Sequence, residues 1–299
     1  MSIENSIFDE IDCLRTEYQN KKYLFISGSK MASLLKRLGA SNEDLQGLKK
    51  VSDLLEKDPT LKFRKSRNGR FVFNPINNEI YRTESQRFVL SKQEDFVRYD
   101  SGKLRNFYGL SESLTRNSAF QNLLKLKYCL IQGVEFKQRP FLNYDSNQWV
   151  TTVFNLRTIT TNQLRGEPAL EGIHTDGVDH TMTILFGHQN MKKNGSAITY
   201  LHSMDEKTGI KFEEANEDYI LCCHQHWDFL DTLMIIDHER KHSLTSVEQE
   251  DKNMHATRDM LILFTRKPAK AGHVSYNYDS LKPHPDYPIR FNALDVQRT

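Results

Sequence analysis

Long apolar runs are missing from this sequence, and so is any excess of charge. Nowhere do about 18 apolar residues follow one another, so no helix is expected to cross a membrane. Forty-one basic residues against 39 acidic ones leave a formal charge of +2. The broad basic surface that grips a phosphate backbone is therefore absent, and nucleic acid is not an expected partner. Cysteine is scarce. Cys13, Cys129, Cys222 and Cys223 are the whole set, two of them adjacent, and no disulfide framework is legible. The first residues, MSIENSIFDEIDCL, have neither the basic start nor the apolar run of a signal peptide, and the expected location is the cytoplasm. Internal repeats and low-complexity tracts are lacking too. At 299 residues the chain is long enough for two units of about 150 residues, or for one larger barrel or jelly roll with an elaboration.

The N-terminal stretch reads as helical. After a short apolar strand at 23–26 (YLFI), Met31, Leu34, Leu35 and Leu38 recur at helical spacing and stop at Gly39. Ser41 and Asp44 form a capping-box pattern that opens a second helix, with Leu45, Leu48, Val51 and Leu55 on one face. From Phe63 the texture changes. FRKSRNGRFVF predicts an edge strand, or a strand turning at Asn68-Gly69, and its Arg64, Arg67 and Arg70 are either a solvated face or the lining of a pocket for an anion. Residues 113–130 predict one more helix, ending near Gly133.

The second half is a succession of short runs rich in β-branched and aromatic residues, at 149–160, 179–189, 196–201, 231–237 and 259–267. Strands in a row without intervening helices argue an antiparallel sandwich or jelly roll. The expected architecture is mainly β: an N-terminal helical elaboration over 1–60 and a double-stranded β-helix (a cupin-like jelly roll) over 61–299, packed as one structural unit.

Chemistry concentrates in Gly172-Ile173-His174-Thr175-Asp176-Gly177. In an extended backbone, residues two apart face the same side, so His174 and Asp176 can reach one metal ion. A second imidazole would complete the facial triad of non-haem iron oxygenases, which leaves positions open for other ligands. His242, after the strand pattern 231–237, is the expected distal ligand. Arg258 follows one strand later, and its planar fork suits bidentate recognition of a carboxylate. An isolated H-x-D is weak among eleven histidines. The order H-x-D, distal histidine, arginine, each at a strand edge, is far more specific. Cys222, Cys223, His224 and His226 lack zinc-ligand spacing and read as a strand or loop.

The stretch 172–267 resembles the 2-oxoglutarate/iron(II) dioxygenase family that includes bacterial L-isoleucine 4-hydroxylase and related free L-amino acid hydroxylases. Three motifs carry the resemblance: Ile173-His174-Thr175-Asp176-Gly177-Val178-Asp179; Asp237–Arg240 followed by His242-Ser-Leu-Thr245; and Arg258-Asp259 with its apolar strand. Weaker similarity runs through Asn155-Leu-Arg157 and Gly102-Lys-Leu-Arg105-Asn-Phe107. The chain departs from the family pattern at Asn194-Gly195, where Gly-Gly is usual, at Ser246, where proline is common, and over 210–230.

The resemblance implies a jelly-roll oxidoreductase with Fe(II) on His174, Asp176 and His242, which would then also be its catalytic residues. It implies 2-oxoglutarate as cosubstrate on Arg258, O2 as oxidant, and hydroxylation of an unactivated C–H with release of succinate and CO2. Because Asp176 is present, the position a halide takes in related halogenases is filled, and hydroxylation is expected. The implied substrate is a small molecule, a free L-amino acid above all, with Arg157 for its carboxylate and Asp179 for its ammonium. The same motifs are compatible with a carrier-bound or peptidyl substrate. The competing class is a non-catalytic jelly roll that binds a metal or small ligand, and Arg258 is the feature that separates the two.

Overall fold

The structure is a computed structural model that describes residues 3–293; the last six residues of the expected 61–299 unit lie outside the described residues. Helix α1 (Ile3–Lys21) leads into strand β1 (Tyr23–Ile26), then α2 (Gly28–Arg37) and α3 (Asn42–Leu48). The Ser41 hydroxyl caps α3 by accepting the Asp44 N–H at 3.0 Å, as the capping pattern predicts. The helix ends at Leu48, about two turns short of the expected Leu55. The chain instead pairs β2 (Glu56–Lys57) with β3 (Arg64–Asn74).

Strand β3 is neither an edge nor a hairpin. It runs unbroken between β4 (Glu79–Arg82) and β5 (Trp149–Thr160). Gly69 makes room rather than a turn: a Cβ there would stand 2.9 Å from Leu110. The helix expected at 113–130 is two helices, α4 (Glu112–Thr115) and α5 (Ser118–Ile131). Asn117 divides them because its side chain caps α5, accepting the Phe120 N–H.

The remaining strands are β6 (His180–Gln189), β7 (Ile198–His202), β8 (Ile220–Gln225), β9 (Thr232–Ile236), β10 (Lys241–Leu244), β11 (Ala256–Arg266) and β12 (Arg290–Asn292). They form an antiparallel major sheet in the order β1-β9-β6-β11-β5-β3-β4-β12, with β2 beside β3, and a minor sheet β10-β7-β8. This is the double-stranded β-helix. The N-terminal segment is not a detachable cap, because β1 hydrogen-bonds along β9 and extends the major sheet. Among the described residues no helix is long and apolar enough to cross a membrane.

Strand parity sorts the side chains of the major sheet between two surroundings. On one face, Met182, Ile184, Met234, Ile236, Leu261 and Leu263 pack in one core with α1, α2, α3 and α5. On the other face, their alternates Thr181, Thr183, Leu233, Ile235, Met260 and Ile262 line a cavity. The first face builds the molecule; the second builds the site.

Candidate metal centre and substrate cavity

His174 and His242, sixty-eight positions apart, are bridged directly. The His174 N–H donates to the His242 carbonyl at 3.0 Å, and the His242 N–H returns a bond to the His174 carbonyl at 2.9 Å. Residues exchanging both bonds in an antiparallel bridge project to the same side, and the two rings lie 4.4 Å apart. Asp176 reaches between them. Its Oδ1 is 3.5 Å from His174 Nε2 and 3.7 Å from His242 Nε2. His174 and Asp176 lie on the loop before β6 rather than on the strand itself, yet both line the cavity. Among the described residues, this is the one group of three His, Cys, Asp or Glu side chains gathered closely enough to hold an ion.

Local structure explains the convergence. Gly172 and Gly177 bracket the motif, both at φ +74. A Cβ on Gly172 would meet the Ile210 carbonyl oxygen at 2.2 Å, and one on Gly177 would meet the Glu94 side chain at 2.4 Å, so both positions require glycine. The fully buried Asp237 accepts the Asp176 N–H at 2.7 Å and the Val178 N–H at 3.2 Å. Arg139 ties the same loop down by donating to Asp237, the Thr175 hydroxyl and the Val178 carbonyl. The Thr181 hydroxyl donates to Asp176 Oδ2 at 2.6 Å, leaving Oδ1 toward the histidines.

The donor set fits a divalent metal ion such as iron(II). His174 Nδ1 sits 2.8 Å from the Gly172 carbonyl. Donation there leaves Nε2 free to ligate an ion. Burial opposes charge on Asp176, yet His242 and His174 hold its carboxyl down at about 2, so it stays an anion. Burial also opposes charge on His174, but the Asp176 hydrogen bond and Glu171 outweigh it and raise the imidazole to about 9. Without an ion the cluster thus keeps a proton on His174, and a bound cation would release it. Burial lowers His242 to about 4, with Asp176 opposing, so this ring is neutral as ligation demands. Two imidazoles and one carboxylate suit iron(II) with a face left open.

The cavity above the triad, mouth included, encloses about 1040 Å³. Leu233, Ile235, Leu244, Met260 and Ile262 supply apolar wall. Arg258 lines it too, 3% exposed. Its side chain has no ion pair or hydrogen bond among the described residues, and its Nε is an unsatisfied buried donor. Burial alone lowers it to about 10, still a cation at neutral pH. Leaving an ion buried without a counter-ion costs several kcal/mol, a cost that an anion in the cavity would relieve.

A second guanidinium is in the same condition. Arg105, 5% exposed and also lining the cavity, has unsatisfied Nε and NH2 donors. The Phe88 and Phe96 rings clasp it at 4.9 and 4.7 Å. Such contacts are worth about 0.5–2 kcal/mol each, less than the desolvation they accompany. Arg64 and Arg98 stand nearby with partners: Arg64 on Asp58 at 2.7 Å, and Arg98 on Asp100 and Glu171 at 2.9 and 3.0 Å.

Two expected substrate residues lie elsewhere. Leu156 and Thr158 line the cavity, so Arg157 between them points to the opposite face. There it is bonded to Asp259, its cross-strand partner, at 2.6 and 2.7 Å, and to Asp53 at 2.9 Å. Asp179 is fully buried outside the cavity. It accepts from the Tyr144 hydroxyl at 2.6 Å and the Lys267 N–H at 3.0 Å, which joins the start of β6 to the end of β11. Of the basic run, Arg64 lines the cavity, while Arg70 is buried against Asp279. Cys222, Cys223 and His224 sit on β8, with Cys222 Sγ 3.7 Å from His224 Nε2. Asp237 belonged to a recognised motif but its bracing of Asp176 was not legible. Arg105 lies in the stretch 102–107 whose similarity was visible without a role.

Known proteins similar to this chain accord with this geometry. A family profile described as 2OG-Fe dioxygenase matches residues 49–264. The chain is 42% identical to the selenomethionine-labelled Fe(II)/α-ketoglutarate-dependent dioxygenase TqaL, covering 97% of each chain with a TM-score of 0.83. It is 44% identical over 276 residues to the bifunctional enzyme flvA of Aspergillus flavus, covering 92% of this chain and 33% of that one. The chain thus spans about a third of that relative's length. A bsmA homologue from Methylobium petroleophilum PM1, 18% identical, shares the fold with a TM-score of 0.65 over 88% of this chain and 95% of that one. The chain belongs to the 2OG-Fe dioxygenase family. Iron(II), 2-oxoglutarate and O2 are accordingly its metal, cosubstrate and oxidant.

Proposed function

We propose that this chain hydroxylates an unactivated C–H of a small substrate, a free L-amino acid, with iron(II) on His174, Asp176 and His242 and 2-oxoglutarate anchored on Arg258. The observation that carries the reading is Arg258, a buried guanidinium with no side-chain partner among the described residues, in the cavity that holds the triad. A jelly roll that merely bound a metal would have no use for it.

Iron(II), when bound, supplies the O2 activation that couples conversion of 2-oxoglutarate to succinate and CO2 with insertion of one oxygen atom into the substrate C–H. The side chains place and shield. His174, Asp176 and His242 would hold the ion and leave room on it for further ligands. Asp237 and Thr181 hold Asp176 with Oδ1 toward the two histidines, where it would ligate the ion. Arg258 fixes the far carboxylate of the cosubstrate through a charge-assisted pair, which sets the register of its keto-acid end. Leu233, Ile235, Met260 and Ile262 exclude water from the reacting C–H.

The test is an anaerobic absorption titration of the metal-free protein with Fe(II) and then 2-oxoglutarate. A visible charge-transfer band that needs both is expected. Iron binding without any band on adding 2-oxoglutarate would overturn the cosubstrate role of Arg258 and return the chain to the class of binding proteins.

A further inference from the structure

Among the described residues the cavity holds two buried cations without a counter-ion, and the reading above uses one. Their surroundings are separate. Arg105 lies against the Phe88 and Phe96 rings, whereas the cross-strand neighbours of Arg258 are Thr158 and His188. With the far carboxylate of the cosubstrate assigned to Arg258, Arg105 is left as the site for a second anion. The acidic groups near Arg105 do not neutralise it either: Asp58 is held by Arg64, and Asp100 by Arg98. Its planar group lies between the Phe88 and Phe96 rings, and the bridge between Phe88 and Arg105 fixes the backbone beneath it.

We infer that Arg105 is the binding residue for the substrate's own carboxylate, so that the substrate carries a free carboxylate and is not esterified, amidated or tethered to a carrier through that group. This rests on the oxygenase reading and deepens it. Arg157, engaged by Asp259 on the opposite face of the sheet, is relieved of the role. Glu171 lines the cavity as well, with Oε1 on Arg98 and no partner on its second oxygen among the described residues. It is the acceptor in reach of an ammonium beside such a carboxylate. Phe154, Leu156 and Phe264 supply an apolar wall for the rest of the molecule. A zwitterion with an aliphatic body matches this lining, and a thioester or peptide link at the carboxyl would leave Arg105 buried and unpaired.

The experiment loads the wild type, Arg105→Lys and Arg105→Met with Fe(II) and 2-oxoglutarate under anaerobic conditions. Each is titrated with a panel of aliphatic L-amino acids, their methyl esters and their amides, and Kd is read from the perturbation of the charge-transfer band. At least one free acid should bind the wild type, with its ester and amide weaker by roughly 10- to 100-fold, the worth of a charge-assisted pair. Arg105→Met should lose that same factor for the acid and leave the ester unchanged. Arg105→Lys should fall between, because the charge stays and the fork is lost. Thermal melting of Arg105→Met should match or exceed the wild type, since an unpaired buried charge is removed.

Equal binding of acid and ester, no binding by any member of the panel, or unchanged acid affinity in Arg105→Met would each overturn the assignment. So would loss of the 2-oxoglutarate band in Arg105→Met alone, which would give Arg105 to the cosubstrate. A lower melting temperature with acid affinity kept would make it a packing residue. If the wild type itself forms no band, the iron and cosubstrate reading fails. Calorimetry of the acids and esters on the same protein then still decides Arg105.

Discussion

The two faces of the major sheet are made by the same strands and obey opposite rules. Leu261 and Leu263 of β11 sit fully buried among helices, in a core whose members satisfy one another. Arg258, Met260 and Ile262 of the same strand face the cavity, where a cation is left unpaired and space is left open. One residue of register separates them. The difference shows that stability and chemistry are divided by parity along single strands, so neighbouring substitutions should have unlike effects.

The largest effect should come from the triad. His174→Ala, Asp176→Ala or His242→Ala is expected to reduce succinate formation to background while the fold survives, as circular dichroism would report. If His242→Ala kept iron and turnover, His238 would be the next ligand to test. On the helix-facing side, Leu263→Ala should cost about 2–5 kcal/mol of stability in denaturant titration, with turnover per folded molecule unchanged. Ile262→Ala, one residue away, should cost about 1 kcal/mol and change substrate KM instead. Should both variants behave alike, the division by parity is wrong.

Arg258→Gln sharpens the same contrast. It should raise the KM for 2-oxoglutarate by roughly 10- to 100-fold, retain iron, and leave the melting temperature at or above the wild type. A loss of several degrees would make Arg258 a structural residue. pH gives a smaller effect of known sign. His226, fully buried beside Thr183, is lowered from 6.5 to about 3 by burial, with Arg258 adding to it. The unfolded chain takes up that proton from about pH 6.5 downward and the folded chain does not, so stability falls as pH drops from there toward 3. Denaturant midpoints should decline from pH 7 to pH 5, and His226→Gln should flatten that decline. The smallest effect is expected of Arg157→Lys: unchanged KM for substrate and cosubstrate, with at most about 1 kcal/mol of stability lost.

Periodicity and motif order made much of this legible. The strands at 149–160 and 259–267, the helix on Met31, Leu34 and Leu35, and the capping by Ser41 are local patterns, and local patterns are written in adjacent residues. The H-x-D, the distal histidine and Arg258 were visible because their order along the chain is characteristic. Asn68-Gly69 misled because the same dipeptide serves a turn or a close approach, and only Leu110, distant in sequence, decides which. Asn117 divided a helix whose apolar spacing runs straight through it.

What the sequence determined by itself was the class: an all-antiparallel β-sheet domain with a His/Asp/His set followed by an arginine. What only the tertiary structure decided was which buried charges are neutralised. Arg157 and Arg105 are both arginines in stretches similar to the family. One meets Asp259 across a strand pair, and the other meets only aromatic rings and the cavity. Pairing of buried ions depends on which distant segments the fold brings within about 3 Å, and no window of sequence contains that distance.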